Sequence, residues 1–179
     1  MCLLYGRTYG LPVVALRYFN IYGSRQALSN PYTGVAAIFA SRLLNGNPPL
    51  IFEDGKQMRE FVSVEDITRA NLLAMERCEA DGMALNISSG EPISISEVAA
   101  ALSDALETTI PAQLTGRYRA GDVRHCFPDI SRARQFLGYK PKVRFADGMK
   151  ILALWLRSQQ PQDRMAEAVA QLSSLGLTA

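Results

Sequence analysis

Residues 13–23 read VVALRYFNIYG, and the first half of this stretch decides the fold. Val13, Val14, Ala15 and Leu16 are four apolar residues in succession, with no polar alternation to mark a solvent face. A strand of this kind is covered on both sides, as in a parallel sheet between helices, so the expectation is an α/β chain. The run stops at Phe19 and Asn20. Ligands of open α/β sheets bind beyond the carboxyl ends of strands, which makes Asn20 a candidate site residue. An Asn that only ties down its own loop is the alternative these residues leave open.

Working outward, MCLLYGRTY (1–9) reads as the last turns of a helix, with Gly10 as its stop and Pro12 beyond. After a loop over 23–34, GVAAIFASRLL gives a helix closed by NGNPP. LIF is a short strand, EDGKQ a turn and REFVSV a second strand leading into a helix over 65–78. MALNIS is another strand. SISE, with Ser94 at the N-cap and Glu97 three residues on, is a capping box that opens the helix VAAALSDAL. A basic loop, GRYRAGDVRH, precedes a short helix from Ser131 to Leu137 and a later helix carrying Trp155. The stretch from Gln159 is expected to be a loosely attached helix or a tail.

The composition bounds the function. The chain has 179 residues, 48% hydrophobic and 20% charged, which suits a folded domain with a core of its own. A net charge of +2, with no concentrated Lys/Arg stretch, argues against a nucleic-acid or anionic-membrane partner. No apolar run approaches the roughly 20 residues that span a bilayer. Cys2, Cys78 and Cys126 lie far apart with no C-x-x-C pair, so neither disulfides nor a zinc site are expected, and a cytoplasmic setting is. No G-x-G-x-x-G, P-loop, H-E-x-x-H or G-x-S-x-G occurs. His125 has no local metal-ligating partners. Glu53-Asp54 and Glu65-Asp66 fall at a turn and a helix start, where solvated acids are usual.

What remains are features that suit an anionic, hydroxyl-rich ligand. Arg59 begins a strand, from which a guanidinium can fork onto phosphate oxygens or pair with Glu60 or Glu65 at the surface. Arg117, Arg119 and Arg124 lie in one loop around Gly121, either clamping a diphosphate or simply solvated.

Order and spacing add to this. YGLPVVALRYFNIYGSRQ, GNPPLIFEDGKQMREFVSVEDITRA, ALNISSGEPISISEVAAAL, RYRAGDVRHCFPDISRARQFLGYKP and DGMKILALW follow one another through residues 1–156. In this order they resemble the C-terminal half of the extended short-chain dehydrogenase/reductases, the NAD-dependent nucleotide-sugar epimerases and dehydratases. SNPYTGVAAIFASRLLNG is most similar to 4-epimerases of dTDP- or UDP-sugars, the rhamnose 4-epimerase branch in particular.

The resemblance implies roles by position. Asn20 matches an Asn that hydrogen-bonds the sugar diphosphate, and Phe19 a residue whose backbone lies near the nicotinamide. Thr33, Gly34 and Val35 match a helix start near the diphosphate, where free N–H groups and the helix dipole favour an anion. Leu50, Ile51 and Phe52 match a strand whose backbone reads the pyrimidine edge. Arg59 and Arg119 match the two phosphate arginines, Asn86 matches the Asn of Y-N-I-G, and Cys126 stands where some 4-epimerases carry a ligand-facing Tyr. Ser24, Glu60 and Leu85 depart from a common Pro, Asp and aromatic.

The resemblance also implies a cofactor, NAD, and a partner, a nucleotide-diphosphate sugar. In the family a Gly-rich loop binds NAD, and a Tyr-x-x-x-Lys pair with an upstream Ser/Thr performs the proton transfer that accompanies hydride loss from the sugar's 4-hydroxyl carbon. This chain has no Tyr followed four residues later by Lys. The expectation is a truncated, catalytically inactive epimerase half, against a non-catalytic binding module or a subunit that complements a separate Rossmann half, and within the family against a dehydratase or reductase. Residues 1–24 would end the Rossmann-type domain, 25–158 would form mainly the substrate-binding domain with strand 83–88 returning to the sheet, and 159–179 a C-terminal tail or helix. The faces and edges of the 13–19 strand should be exposed. The family commonly dimerises through helices encoded mostly upstream, so no native dimer is expected.

Overall fold

In the computed structural model, which describes residues 1–28, 34–160 and 162–178, helix α1 (Cys2–Tyr9) ends at Gly10. The glycine adopts a left-handed φ of 66° and returns its N–H to the Gly6 carbonyl. The chain then enters β1 (Ala15–Tyr18), which is shorter than the expected 13–19 strand and pairs in parallel with β6 (Ala84–Ile87). β1 is not covered on both faces. Val14 and Leu16 pack on the core, whereas Arg17 and Tyr18 are exposed, and with β6 as its one strand partner among the described residues the other edge of β1 is open as well.

Asn20 marks where the sheet changes partners. Its side-chain N–H donates to the Glu60 carbonyl at 2.8 Å, and its own carbonyl accepts from Val62 N–H at 3.2 Å. β2 (Ile21–Tyr22) then pairs in parallel with β5 (Val62–Ser63). The single strand expected over REFVSV is therefore two. β4 (Met58–Glu60) lies between β7 (Pro92–Ser94, antiparallel) and β9 (His125–Cys126, parallel), and the break falls at buried Phe61, whose ring packs on Phe145. β3 (Leu50–Ile51) pairs in parallel with β8 (Gln113–Leu114).

The helices follow their expected places. They are α2 (Val35–Leu44), α3 (Val64–Glu76), α4 (Ile95–Ala105), α5 (Ser131–Leu137), α6 (Phe145–Leu156) and α7 (Met165–Ser174). Both halves of the capping box at α4 form: Glu97 N–H donates to Ser94 Oγ, and Ser94 N–H to Glu97 Oε2. The Ser94 hydroxyl, and after it the Ser94 N–H, donate to Glu97 Oε2, favour the ionised Glu97 and lower its pKa.

The apolar interior falls into two clusters. One joins α2, α4 and α6 through residues such as Phe39, Leu102 and Leu152; the other lies under β1 and β6 with α3 and α5, through Leu85, Ile87 and Leu137. Between these elements Asp66 departs from the solvated acid expected at a helix start. It is 1% exposed and accepts the N–H groups of Lys142 and Val143 at 2.9 and 3.0 Å, because the α5–α6 connection brings two backbone donors down onto it.

The turn between β3 and β4 is the tightest point near the cavity described below. Gly55 has φ 75°, and a Cβ there would lie 2.0 Å from Ser96 Oγ. Gly55→Ala should destabilise the chain by about 1–3 kcal/mol, from left-handed strain and overpacking together. Urea unfolding checks this, and an unchanged midpoint would refute it.

Candidate functional site

Seven separated stretches of the chain line a cavity of about 240 Å³. Asn20 comes from the end of β1, and Gly34, Val35, Ile38 and Phe39 from the start of α2. Leu50, Ile51 and Phe52 come from β3 and the residue after it; Gln57 and Arg59 follow the Gly55 turn. Arg119 and Asp122 reach in from the basic loop, with Ile95 and Met165 completing the wall. Thr33 lies outside the described residues.

Local structure explains the electrostatics. α2 begins at Gly34 with no side-chain cap and no acidic residue in its first turn, so the positive end of its dipole borders the cavity uncompensated by its own sequence. The Arg119 guanidinium sits 4.6 Å above the centre of the Phe52 ring, within cation–π range, which fixes its head at the cavity wall.

Arg59 is more constrained than a free phosphate ligand. It pairs with neither Glu60 nor Glu65. Its Nη1 donates to the carbonyls of Met58 and Arg124, and its Nη2 to the Val123 carbonyl and to Asp122 Oδ1 at 3.0 Å. Glu60 is instead buried and accepts Gly90 N–H. An anion reaching Arg59 therefore exchanges with the Asp122 carboxylate, which already occupies one prong of the fork.

The three loop arginines separate. Arg119 faces the cavity, whereas Arg124 is held outside it by Glu53 and Asp54 at 2.7 and 2.8 Å. That bond from Arg124 is the main reason the exposed Asp54 carboxyl is lowered to about 2. Arg117 borders a neighbouring hollow with Phe52 and Val169.

Three expected positions do not line the cavity. The Phe19 N–H is taken by the Ile87 carbonyl at the end of the β1–β6 ladder. Asn86 donates its side-chain amide to the Asp129 carbonyl, on the strand face away from buried Leu85 and Ile87. Cys126 is exposed on β9 and stands beside Arg59 in register, yet contributes nothing to the wall. His125 accepts the Met58 N–H through Nδ1, and among the described residues no group of acids, Cys and His could hold a metal. No helix of the described residues is long and apolar enough to cross a membrane.

Gln57, Ile95, Asp122 and Met165 were not singled out in the sequence. Gln57 is buried and braces the wall by donating to the Phe52 carbonyl at 2.8 Å. Asp122 stood in plain view in RAGDVRH, but an acid among arginines reads as their counterion. Met165 had no local signal at all. The segment around it is not a loose tail, since Asp163 forms an ion pair with Arg42 at 3.1 Å that ties it to α2.

Residues 1–88 match the family described as NAD dependent epimerase/dehydratase. This part of the chain carries that family's domain. It is 35% identical over 158 residues to a putative UDP-glucose 4-epimerase of Methanocaldococcus jannaschii, covering 87% of this chain and 49% of that protein. Identity is also 35% over 150 residues with the dTDP-L-rhamnose 4-epimerase of Burkholderia thailandensis, covering 83% and 40%. Among solved structures, a UDP-N-acetylglucosamine 4-epimerase from Methanobrevibacter ruminantium, in complex with UDP-N-acetylmuramic acid, superposes with a TM-score of 0.80 at 35% identity, covering 87% of this chain and 49% of that one. The fold is thus α/β of the Rossmann-type epimerase class, and the chain spans about half the length of the curated relatives it matches.

The family is NAD-dependent, and the UDP-glucuronic acid 4-epimerase of Bacillus cereus was solved with NAD and UDP-glucuronic acid. This sequence holds no G-x-G-x-x-G turn, so its residues supply at most part of a site for that cofactor.

Proposed function

We propose that this chain is the nucleotide-sugar-binding, C-terminal half of a nucleotide-diphosphate-sugar 4-epimerase. One observation carries the reading: Arg59, Arg119, Asn20 and the start of α2 come from four distant segments and border one cavity. Two guanidinium groups and a helix N-terminus suit a diphosphate, and the apolar wall of Leu50, Ile51 and Phe52 suits the flat base beyond it. β1 and β6 belong to the dinucleotide-binding sheet in this reading, and residues 25–158 mainly to the substrate-binding domain.

The chain's own contribution is remote binding energy. Gripping the diphosphate positions a sugar ring for chemistry performed by groups that this sequence does not contain. With no Tyr-x-x-x-Lys pair, the chain alone is inactive; turnover of UDP-sugars by the purified chain with added NAD would refute that part.

Calorimetric titration with UDP and dTDP tests the binding role. The folded chain should take up at least one of them, and Arg119→Ala should weaken that binding by about 1–3 kcal/mol, the scale of a charged hydrogen bond. A folded chain that binds neither nucleotide overturns the reading.

A further inference from the structure

Helix α7 touches the cavity at Met165, and both of its ends are fastened to cavity walls. At its start, Asp163 Oδ2 accepts from Arg42 at 3.1 Å and from the side-chain amide of Asn47 at 2.8 Å, while Oδ1 accepts the Met165 N–H at 3.0 Å. Both members of the ion pair are largely buried, with side-chain exposures of 12% and 14%. Arg42 also holds the Pro48 carbonyl through Nε, so this one acid joins α7 to the corner between α2 and β3.

The other end reaches the basic loop. Leu177 accepts the Ala120 N–H at 2.8 Å, and Thr178 forms a bridge with Arg119. These backbone bonds lie between Arg119 and Asp122, the two charged residues the loop sends into the cavity. The loop is also held by Arg59, which donates to Asp122 Oδ1 and to the Val123 and Arg124 carbonyls, and by Arg124 on Glu53 and Asp54, but these bonds fall at or beyond Asp122, whereas α7 pairs with the backbone of Arg119 and Ala120 themselves.

We propose that α7 is a strap that positions the Arg119 loop, with Asp163 as its anchoring residue, so that docking of α7 and binding of a nucleoside diphosphate are coupled. The nucleotide part rests on the function proposed above; the mechanical part does not. Releasing Asp163 frees the start of α7, and the Arg119–Ala120 backbone paired with its far end loses that restraint, leaving the Phe52 contact to hold Arg119. Coupling of this kind is reciprocal: a nucleotide that needs the ordered loop also stabilises the docked helix.

The test uses the full chain with Asp163→Ala and Asp163→Asn, read by amide hydrogen exchange and by titration with UDP and dTDP. In Asp163→Ala, exchange at Ala120 should accelerate together with that of α7, by about tenfold or more. Nucleotide affinity should fall about five- to tenfold. Asp163→Asn keeps one acceptor oxygen, enough for the Met165 N–H but not for Arg42 and Asn47 as well, and should recover a small part of both effects, which separates a lost anchor from a misfolded chain. Faster exchange in α7 with Ala120 unchanged would overturn the strap, as would an α7 whose protection survives the loss of Asp163. If the wild-type chain binds neither nucleotide, the functional reading fails alone, and Ala120 exchange still decides whether the strap exists.

Discussion

Arg59→Ala should lower the affinity of the folded chain for UDP or dTDP by about 100-fold, or about 3 kcal/mol, the upper end for a charged hydrogen bond. The effect exceeds that of Arg119→Ala because Arg59 does two things. It presents a fork to an anion, and it holds the basic loop through the Val123 and Arg124 carbonyls and the Asp122 carboxylate. Removing it leaves Asp122 in the cavity without its cation, where its charge opposes a diphosphate. The double variant Arg59→Ala with Asp122→Ala should therefore bind better than Arg59→Ala alone, a coupling of about 0.5–3 kcal/mol for groups in direct contact. Arg59→Lys keeps the charge but not the planar fork and should fall between wild type and Arg59→Ala. Unchanged affinity in Arg59→Ala would remove Arg59 from the site.

Asp66→Ala should cost about 3–5 kcal/mol of stability, the scale for removing one partner from a buried ionic and hydrogen-bonded cluster. Its carboxylate serves the Lys142 and Val143 N–H groups and pairs with Arg69, all around a residue that is 1% exposed. Alanine has no acceptor, and water has poor access to replace one. Burial, with Asp66 as the leading charge nearby, also pushes the Tyr22 and Tyr139 hydroxyls above their ordinary range, so the acid sits between two neutral phenols. A chain of this size loses about 2–4 °C of melting temperature per kcal/mol, so a drop of about 6 °C or more is expected. Asp66→Asn, which keeps one acceptor oxygen, should lose less. A shift within 1–2 °C for Asp66→Ala would contradict the role assigned to the buried carboxylate.

These two residues mark what the sequence made legible. The helices and the capping box rest on local rules, caps and periodicity that act within a few residues, and they stand where those rules place them, whereas the strand before Asn20 forms over fewer residues than its apolar run and with Arg17 and Tyr18 exposed. Most of the candidate positions also border one cavity, a matter of placement and not of role, and the motifs that carried them were read in order along the chain. Facts created by distant contacts were not legible. Nothing around Asp66 announces that the connection after α5 will bring two backbone donors onto it. The split of β4 from β5 depends on Asn20 entering between them, and the placement of Met165 on an ion pair between Arg42 and Asp163, 121 positions apart. Asn86 and Cys126 fall on strands near the cavity, but strand alternation and local partners turn them to other work.

The β1–β6 ladder has a consequence for the order in which the chain folds. Ala15 pairs with Ala84 and Tyr18 with Ile87, so the first parallel contacts close a loop of nearly seventy residues. Closure of that length carries its entropic cost before any pairing rewards it, which places it late in folding. β2 and β5, α3 and β6 can assemble over shorter separations and present a finished edge. The N-terminal segment, from α1 through β1, then joins as the final cooperative unit and should be the first to open in the native state, with amides of Ala15 and Phe19 exchanging ahead of those in α4 and α6.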